Sequence, residues 1–205
     1  MDKFKSMTEL KELTKEGKDW EIEFENRSSM VTILAIHGGG IEPATTELAY
    51  TIAHRGNYNY FSFKGMRSKG NNELHVTSTH YDDQIALDLV RGSQRTVAIH
   101  GCEGNESVAY IGGSDDRLIE LVTESLEDIG ISVREAPHHI SGTQENNIVN
   151  MTQTQGGVQL ELTAQLRKEL FKNRKSSRKN RENKDNWDDL MYDFADAMKK
   201  AIERA

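Results

Sequence analysis

Twice in this chain a short apolar run stops at a histidine followed by glycine: Leu34-Ala35-Ile36-His37-Gly38 and Val97-Ala98-Ile99-His100-Gly101. Runs this continuous predict strands buried on both faces, the kind that fill the sheets of α/β proteins. In an open sheet of that class, ligands bind beyond the carboxyl ends of the strands. Both histidines are therefore predicted at one functional edge. The glycine behind each lets the backbone turn sharply and approach a ligand.

The remaining chain alternates strand and helix patterns. Trp20, Ile22 and Phe24 alternate with glutamates, the period of a half-buried strand. Residues 58–63, 74–79, 131–134 and 158–162 read as further strands. Helices are predicted over 7–14 with Thr8 as cap, from Pro43 to about Arg55, and over 82–91, 117–129 and 165–171. The predicted fold is α/β: one domain over 1–205 with a mixed, mostly parallel sheet flanked by helices. Within it, the basic stretch 172–184 reads as a solvated loop or linker. Residues 185–204 read as an amphipathic helix, because Trp187, Leu190, Met191, Phe194, Met198 and Ile202 fall on one stripe. Acidic residues at its start and basic residues at its end suit the helix dipole.

Composition narrows the partners. The net charge of -7 argues against non-specific binding to nucleic acid or to an anionic membrane, both of which need a cationic surface. It would also repel a polyanionic substrate unless the cleft is locally basic. No apolar run approaches the roughly 20 residues that span a bilayer. The first residues carry charge throughout and do not read as a secretory signal. A single cysteine, Cys102, excludes an internal disulfide framework. A cytoplasmic protein is expected, with release by lysis left open.

The chemistry-bearing residues cluster around the two histidines. Glu42 follows His37 by five positions, across a glycine-rich turn able to bring its carboxylate back toward the imidazole. Two neutral imidazoles and one carboxylate suit a catalytic zinc with its fourth position open. Either histidine alone would more often be a hydrogen-bonded strand-end residue; the pair with Glu42 favours metal. Glu161 lies inside Val158-Gln159-Leu160-Glu161-Leu162, where a carboxylate is costly unless paired or catalytic. Alternation places it with Gln159 on one face, as a candidate general base, or as a strand glutamate that faces solvent or pairs with an arginine such as Arg167. Residues 73–83 bring together Glu73, His75, His80, Asp82 and Asp83, a group that ranks as support for the site or as a substrate loop. His54 reads as a surface residue, and His138 and His139 as loop residues. Cys102 reads as an inert thiol. The glycines after His37 match neither nucleotide-binding pattern.

The segments HGGGIEPATTELA, HVTSTHYDD, AIHGCEG, YIGG and GGVQLELTAQLR, in that order over about 29–170, resemble the phage-type poly-γ-glutamate hydrolase family and its bacterial chromosomal relatives. The resemblance implies a zinc-carboxypeptidase-like core, one zinc held by His37, Glu42 and His100, and Glu161 as general base. True carboxypeptidases space the first histidine and glutamate three apart, whereas here they are five apart. The implied substrate is poly-γ-glutamate, whose carboxylates need cationic partners; His80, Arg117, Arg134 and Arg167 are the candidates. A zinc amidohydrolase acting on a small acylated amino acid or on a cell-wall γ-glutamyl bond, and a non-catalytic metal- or polymer-binding relative, are the alternative readings.

Overall fold

A computed structural model describes residues 2–205. The chain runs α1 (Met7–Leu13), β1 (Trp20–Glu25), β2 (Val31–Gly39), α2 (Thr45–Gly56), β3 (Asn59–Gly65), α3 (Gln84–Arg91), β4 (Arg95–Cys102), β5 (Val108–Gly113), α4 (Asp116–Glu127), β6 (Ser132–Glu135), β7 (Val158–Thr163), α5 (Ala164–Glu169), α6 (Arg178–Arg181) and α7 (Asp189–Arg204). The seven strands form one sheet in the order β1-β3-β2-β4-β7-β5-β6. The β3, β2, β4 and β7 strands are mutually parallel; β1 pairs antiparallel with β3, and β5 antiparallel with β7. This is the mixed, mostly parallel α/β sheet that the buried apolar runs predict.

Alternation sorts the two faces. Ile33, Ala35, Val97, Ile99, Ala109, Val158 and Leu160 pack under α2, α4 and α7. On α7, Met191, Phe194, Ala195, Met198 and Ile202 are buried, which accounts for the predicted stripe. Each large apolar side chain fully buried this way contributes roughly 1.5–3 kcal/mol. The opposite face packs Leu34, Ile36, Phe61, Phe63 and Ala98 against α1, α3 and the turns between residues 71 and 80. Among the described residues, no helix is long and apolar enough to cross a membrane.

Several expectations are corrected. Residues 74–79 form no strand. Leu74, Val76 and Ser78 are buried in alternation, yet the backbone runs through two short 3-10 turns, Asn71–Leu74 and Ser78–His80. Ser6, not Thr8, caps α1 by accepting the Glu9 N–H; Thr8 instead donates to Asp82. The second helix begins at Thr45, two residues past Pro43. The last helix begins at Asp189, where Asp188 accepts the Leu190 N–H. Strand β5 has no counterpart among the expected strands; it carries Tyr110 between β7 and the edge strand β6.

Candidate metal centre

His37 and His100 stand at the carboxyl ends of the adjacent parallel strands β2 and β4. Strict alternation would send His37 to the same face as Ile33 and Ala35. The β2–β3 register slips between Ala35 and Gly38, and this bulge re-aims the side chain. Its ring therefore meets His100, edge to face, with centroids 5.0 Å apart. Beyond it, Gly39 adopts φ +63°, and a side chain there would collide with the Gly65 carbonyl at 2.6 Å. The turn closes when Glu42 N–H donates to the His37 carbonyl at 2.9 Å, which swings Glu42 back over the histidines.

The carboxylate and the imidazoles converge. His37 Nδ1 lies 3.1 Å from Glu42 Oε1 and 3.1 Å from His100 Nδ1. The second oxygen, Glu42 Oε2, accepts the Gly101 N–H at 2.9 Å and lies 3.6 Å from His100 Nδ1. His37 Nε2 donates to the Val76 carbonyl at 2.8 Å, which turns the lone pair of Nδ1 toward the cluster. His100 Nε2 is buried and has no hydrogen-bond partner among the described residues. The donor atoms of the three residues lie within 4.8 Å of one another. Lone pairs and a carboxylate this close, in a largely buried pocket, repel unless a cation sits among them; two imidazoles and one carboxylate are a zinc donor set. Burial opposes charge on Glu42, but positive charge on His37 and His100, present when their imidazoles are protonated, outweighs it and holds the carboxyl well below the usual carboxylate range.

Glu161 sits beside this cluster. It is in register with His100 across the parallel β4–β7 pair, so the two side chains share a face. The Glu161 side chain is buried, and burial pushes its carboxyl up to about 7. Gln159 Nε2 donates to Glu161 Oε1 at 3.0 Å, while Asn147 Nδ2 donates to Gln159 Oε1 at 3.0 Å, so the carboxylate is oriented from one side.

His75 joins the site, unlike the rest of its sequence cluster. Its ring lies tilted against His37 with centroids 3.9 Å apart, and its Nε2 is 4.0 Å from Glu42 Oε1. Asp2 holds it: Oδ1 takes His75 Nδ1 at 2.8 Å and Oδ2 accepts the Thr77 N–H at 2.7 Å. Glu73 instead pairs with Lys3 and Arg67, Asp82 with Thr8, and Asp83 caps α3 while binding Lys11. His80 is exposed and lines a groove of about 760 Å³ together with Asp2, Thr77 and Arg91.

The arginines separate by position. Arg167 does not pair with Glu161. It is buried, and its nitrogens donate to the carbonyls of Leu162 at 3.1 Å, Pro43 at 2.8 Å and Cys102 at 3.1 Å. It thus ties together the backbone just past Glu42, His100 and Glu161: one loop and the ends of two strands. Ala44, next to Pro43, has φ +85°, a left-handed conformation costing roughly 1–2 kcal/mol that these contacts hold in place. Arg117 lies on α4, over the opposite face, paired with Glu120. Arg134 on β6 is exposed and paired with Glu106. Cys102 is half-buried, and burial with the Glu161 charge pushes its thiol up to about 11, which keeps it protonated and unreactive. His54, His138 and His139 are exposed and stand outside the convergent donor set.

Residues 4–197 match the family described as poly-gamma-glutamate hydrolase. The SPbeta prophage-derived protein YoqZ of Bacillus subtilis is 36% identical over 172 residues, 83% of this chain; the match spans 62% of YoqZ. The structure of a bacteriophage poly-gamma-glutamate hydrolase superimposes with a TM-score of 0.95 at 30% identity, covering 100% of this chain and 98% of that one. The zinc-free apo form of YndL superimposes with a TM-score of 0.92 at 30% identity, covering 99% and 98%. With the sequence profile and the fold matched along almost the whole chain, this protein belongs to the poly-γ-glutamate hydrolase family.

Proposed function

We propose that this chain is a zinc-dependent hydrolase cleaving the γ-glutamyl amide bonds of poly-γ-glutamate. The observation that carries the reading is the convergence of His37, Glu42 and His100 with a buried carboxylate, Glu161, in register on the next strand. His37 and His100 through Nδ1, with Glu42, would hold the metal. Bound there, zinc supplies Lewis-acid polarisation of the scissile carbonyl and acidifies the attacking water. The zinc-free form of the relative YndL supports this choice of metal.

Glu161 takes the proton from the attacking water and hands it to the departing amine nitrogen. With its carboxyl raised to about 7, it exchanges protons readily near neutrality. Gln159 holds one carboxylate oxygen and leaves the other for the transfer. Substrate carboxylates need cations nearby, and Arg134 has the favourable position. His100, Glu161, Tyr110 and Arg134 occupy matched register positions on β4, β7, β5 and β6, so all four point to one face. Two strand spacings put Arg134 roughly 10 Å from Glu161, within reach of a neighbouring repeat of the polymer.

The test is size-exclusion analysis of γ-linked and α-linked polyglutamate after incubation with the zinc-loaded protein. Cleavage of the γ-linked chain alone is expected. The two carry similar charge, so selectivity must come from where each free carboxylate sits relative to the scissile carbonyl, and mispaired charged groups cost several kcal/mol. Equal cleavage of both would make this a general peptidase. Cleavage of neither, with zinc present, would favour a small-molecule amidohydrolase or a binding protein.

The Asp2–His75 pair packs on a proposed metal ligand, so Asp2→Ala frees His75 and loosens the ring of His37. Zinc affinity is expected to fall roughly tenfold, as for other supports of metal ligands. Competition with a chromophoric chelator measures it, and an unchanged affinity would leave His75 without a part in metal binding.

A further inference from the structure

We propose that the basic excursion 172–184 is a docking surface for the polyanionic chain, separate from the catalytic centre and set against the loop that carries Glu42. This rests on the reading that the substrate is a polymer of carboxylates. The stretch is not a slack linker. Its base is closed by an antiparallel bridge between Phe171 and Trp187 and by Asp188 N–H donating to the Leu170 carbonyl at 3.0 Å. Inside it, Trp187 Nε1 donates to the Arg181 carbonyl at 2.7 Å, and Asn186 Nδ2 to the Lys175 carbonyl at 2.8 Å. These bonds spread the segment into a shaped surface built on α6.

One basic residue is turned inward and anchors the rest. Arg181 is buried; its Nε lies 3.2 Å from Glu47 Oε1, and its terminal nitrogens donate to the Gly39 carbonyl at 3.1 Å and the Ser176 carbonyl at 2.7 Å. Gly39 is two residues past His37 and three before Glu42, so this anchor fixes the excursion against the catalytic loop. Arg178 adds a bond to the Met66 carbonyl at 2.9 Å, just past β3. The other basic residues, Lys172, Arg174, Lys175, Arg178, Lys179 and Lys184, are exposed, with Glu182 the only acidic residue in the stretch.

Three of these six cations have local partners among charged or aromatic side chains. Arg174 pairs with Glu169, Arg178 with Glu182, and Lys184 lies over the Tyr50 ring. Among the described residues, Lys175 and Lys179 pair with no carboxylate. In a chain of net charge -7, the stretch 172–184 holds seven basic residues against one acidic residue, a local excess of positive charge beside the loop that carries Glu42. A flexible polymer bearing one carboxylate per repeat can lie along such a surface while another part of it enters the cleft, which raises the local concentration of scissile bonds.

The experiment measures binding of fluorescent α-linked polyglutamate to the full chain by anisotropy, at low and at high salt. That polymer carries the same charge per repeat, and the proposed cleavage leaves it intact. The double variant Lys175→Glu/Lys179→Glu is expected to raise Kd roughly tenfold at low salt, with the difference fading as salt screens the charges. Lys199→Glu/Lys200→Glu on α7 makes the same change in net charge and is expected to leave Kd near the wild-type value. Equal weakening by both double variants would reduce the effect to overall charge and overturn the proposal. So would wild-type affinity in Lys175→Glu/Lys179→Glu, or tighter binding of a single-stranded oligonucleotide than of polyglutamate. Cleavage of neither polymer would count against the catalytic reading without altering this Kd comparison; cleavage of both would move the comparison into the Glu161→Gln background, which leaves the surface of 172–184 unchanged.

Discussion

Replacing Glu161 by glutamine is expected to lower the rate of γ-glutamyl cleavage by at least ~10²-fold, the usual contribution of a positioned general base. The same variant should keep its zinc and its fold. The substitution preserves volume and leaves an amide that Gln159 can still meet after a flip, so the buried network Asn147–Gln159–161 survives. Glu161 is also absent from the converging donor set of His37, Glu42 and His100. The rate measured on γ-linked polymer, together with metal analysis of the same preparation, separates the alternatives. Loss of zinc would make Glu161 a ligand, and unchanged turnover would make it a bystander.

Removing either imidazole is expected to empty the site. A three-ligand zinc reduced to one histidine and one carboxylate lacks the coordination that such centres need, so His37→Ala and His100→Ala should fall from about one zinc per chain to near zero and lose activity with it. His54→Ala is the internal control. His54 is exposed on α2, stacked on Tyr50, and its removal should leave zinc content unchanged. Elemental analysis after dialysis checks all three. A metal-free wild-type preparation with full activity would end the zinc reading.

Much of this was legible in the chain because it is local. Two apolar runs ending in His-Gly announce buried strands and place both histidines at one edge. Glu42 is reachable because the intervening glycines leave only one tight turn to close. Glu161 stands out because a carboxylate in an otherwise apolar strand demands a reason. The mostly parallel α/β sheet follows from the same runs, and α7 from the spacing of its apolar stripe.

The tertiary structure decided what depends on partners distant in sequence. Alternation alone would turn His37 away from His100; the slip against β3 brings it back, and a slip is a property of two strands together. Residues 74–79 imitate a strand because alternating burial reports only that a segment lies along the core, while a ladder also needs a neighbour to receive its backbone groups. That same segment delivers His75 onto His37 through Asp2, a contact spanning 73 positions. Strand β5 was hidden because Tyr110 and a pair of glycines interrupt its apolar pattern, and it holds its place by pairing with β7 and β6. From the sequence Arg167 reads as a partner for Glu161 or for substrate carboxylates, and Arg181 as part of a solvated stretch. Folding buries them against backbone carbonyls of distant loops, because those carbonyls need donors and the guanidinium can meet several at once. The sequence by itself thus determined which residues could do chemistry and on what kind of sheet. Only the fold decided which of them meet, since meeting is set by strand order, register and long-range hydrogen bonds that no local pattern records.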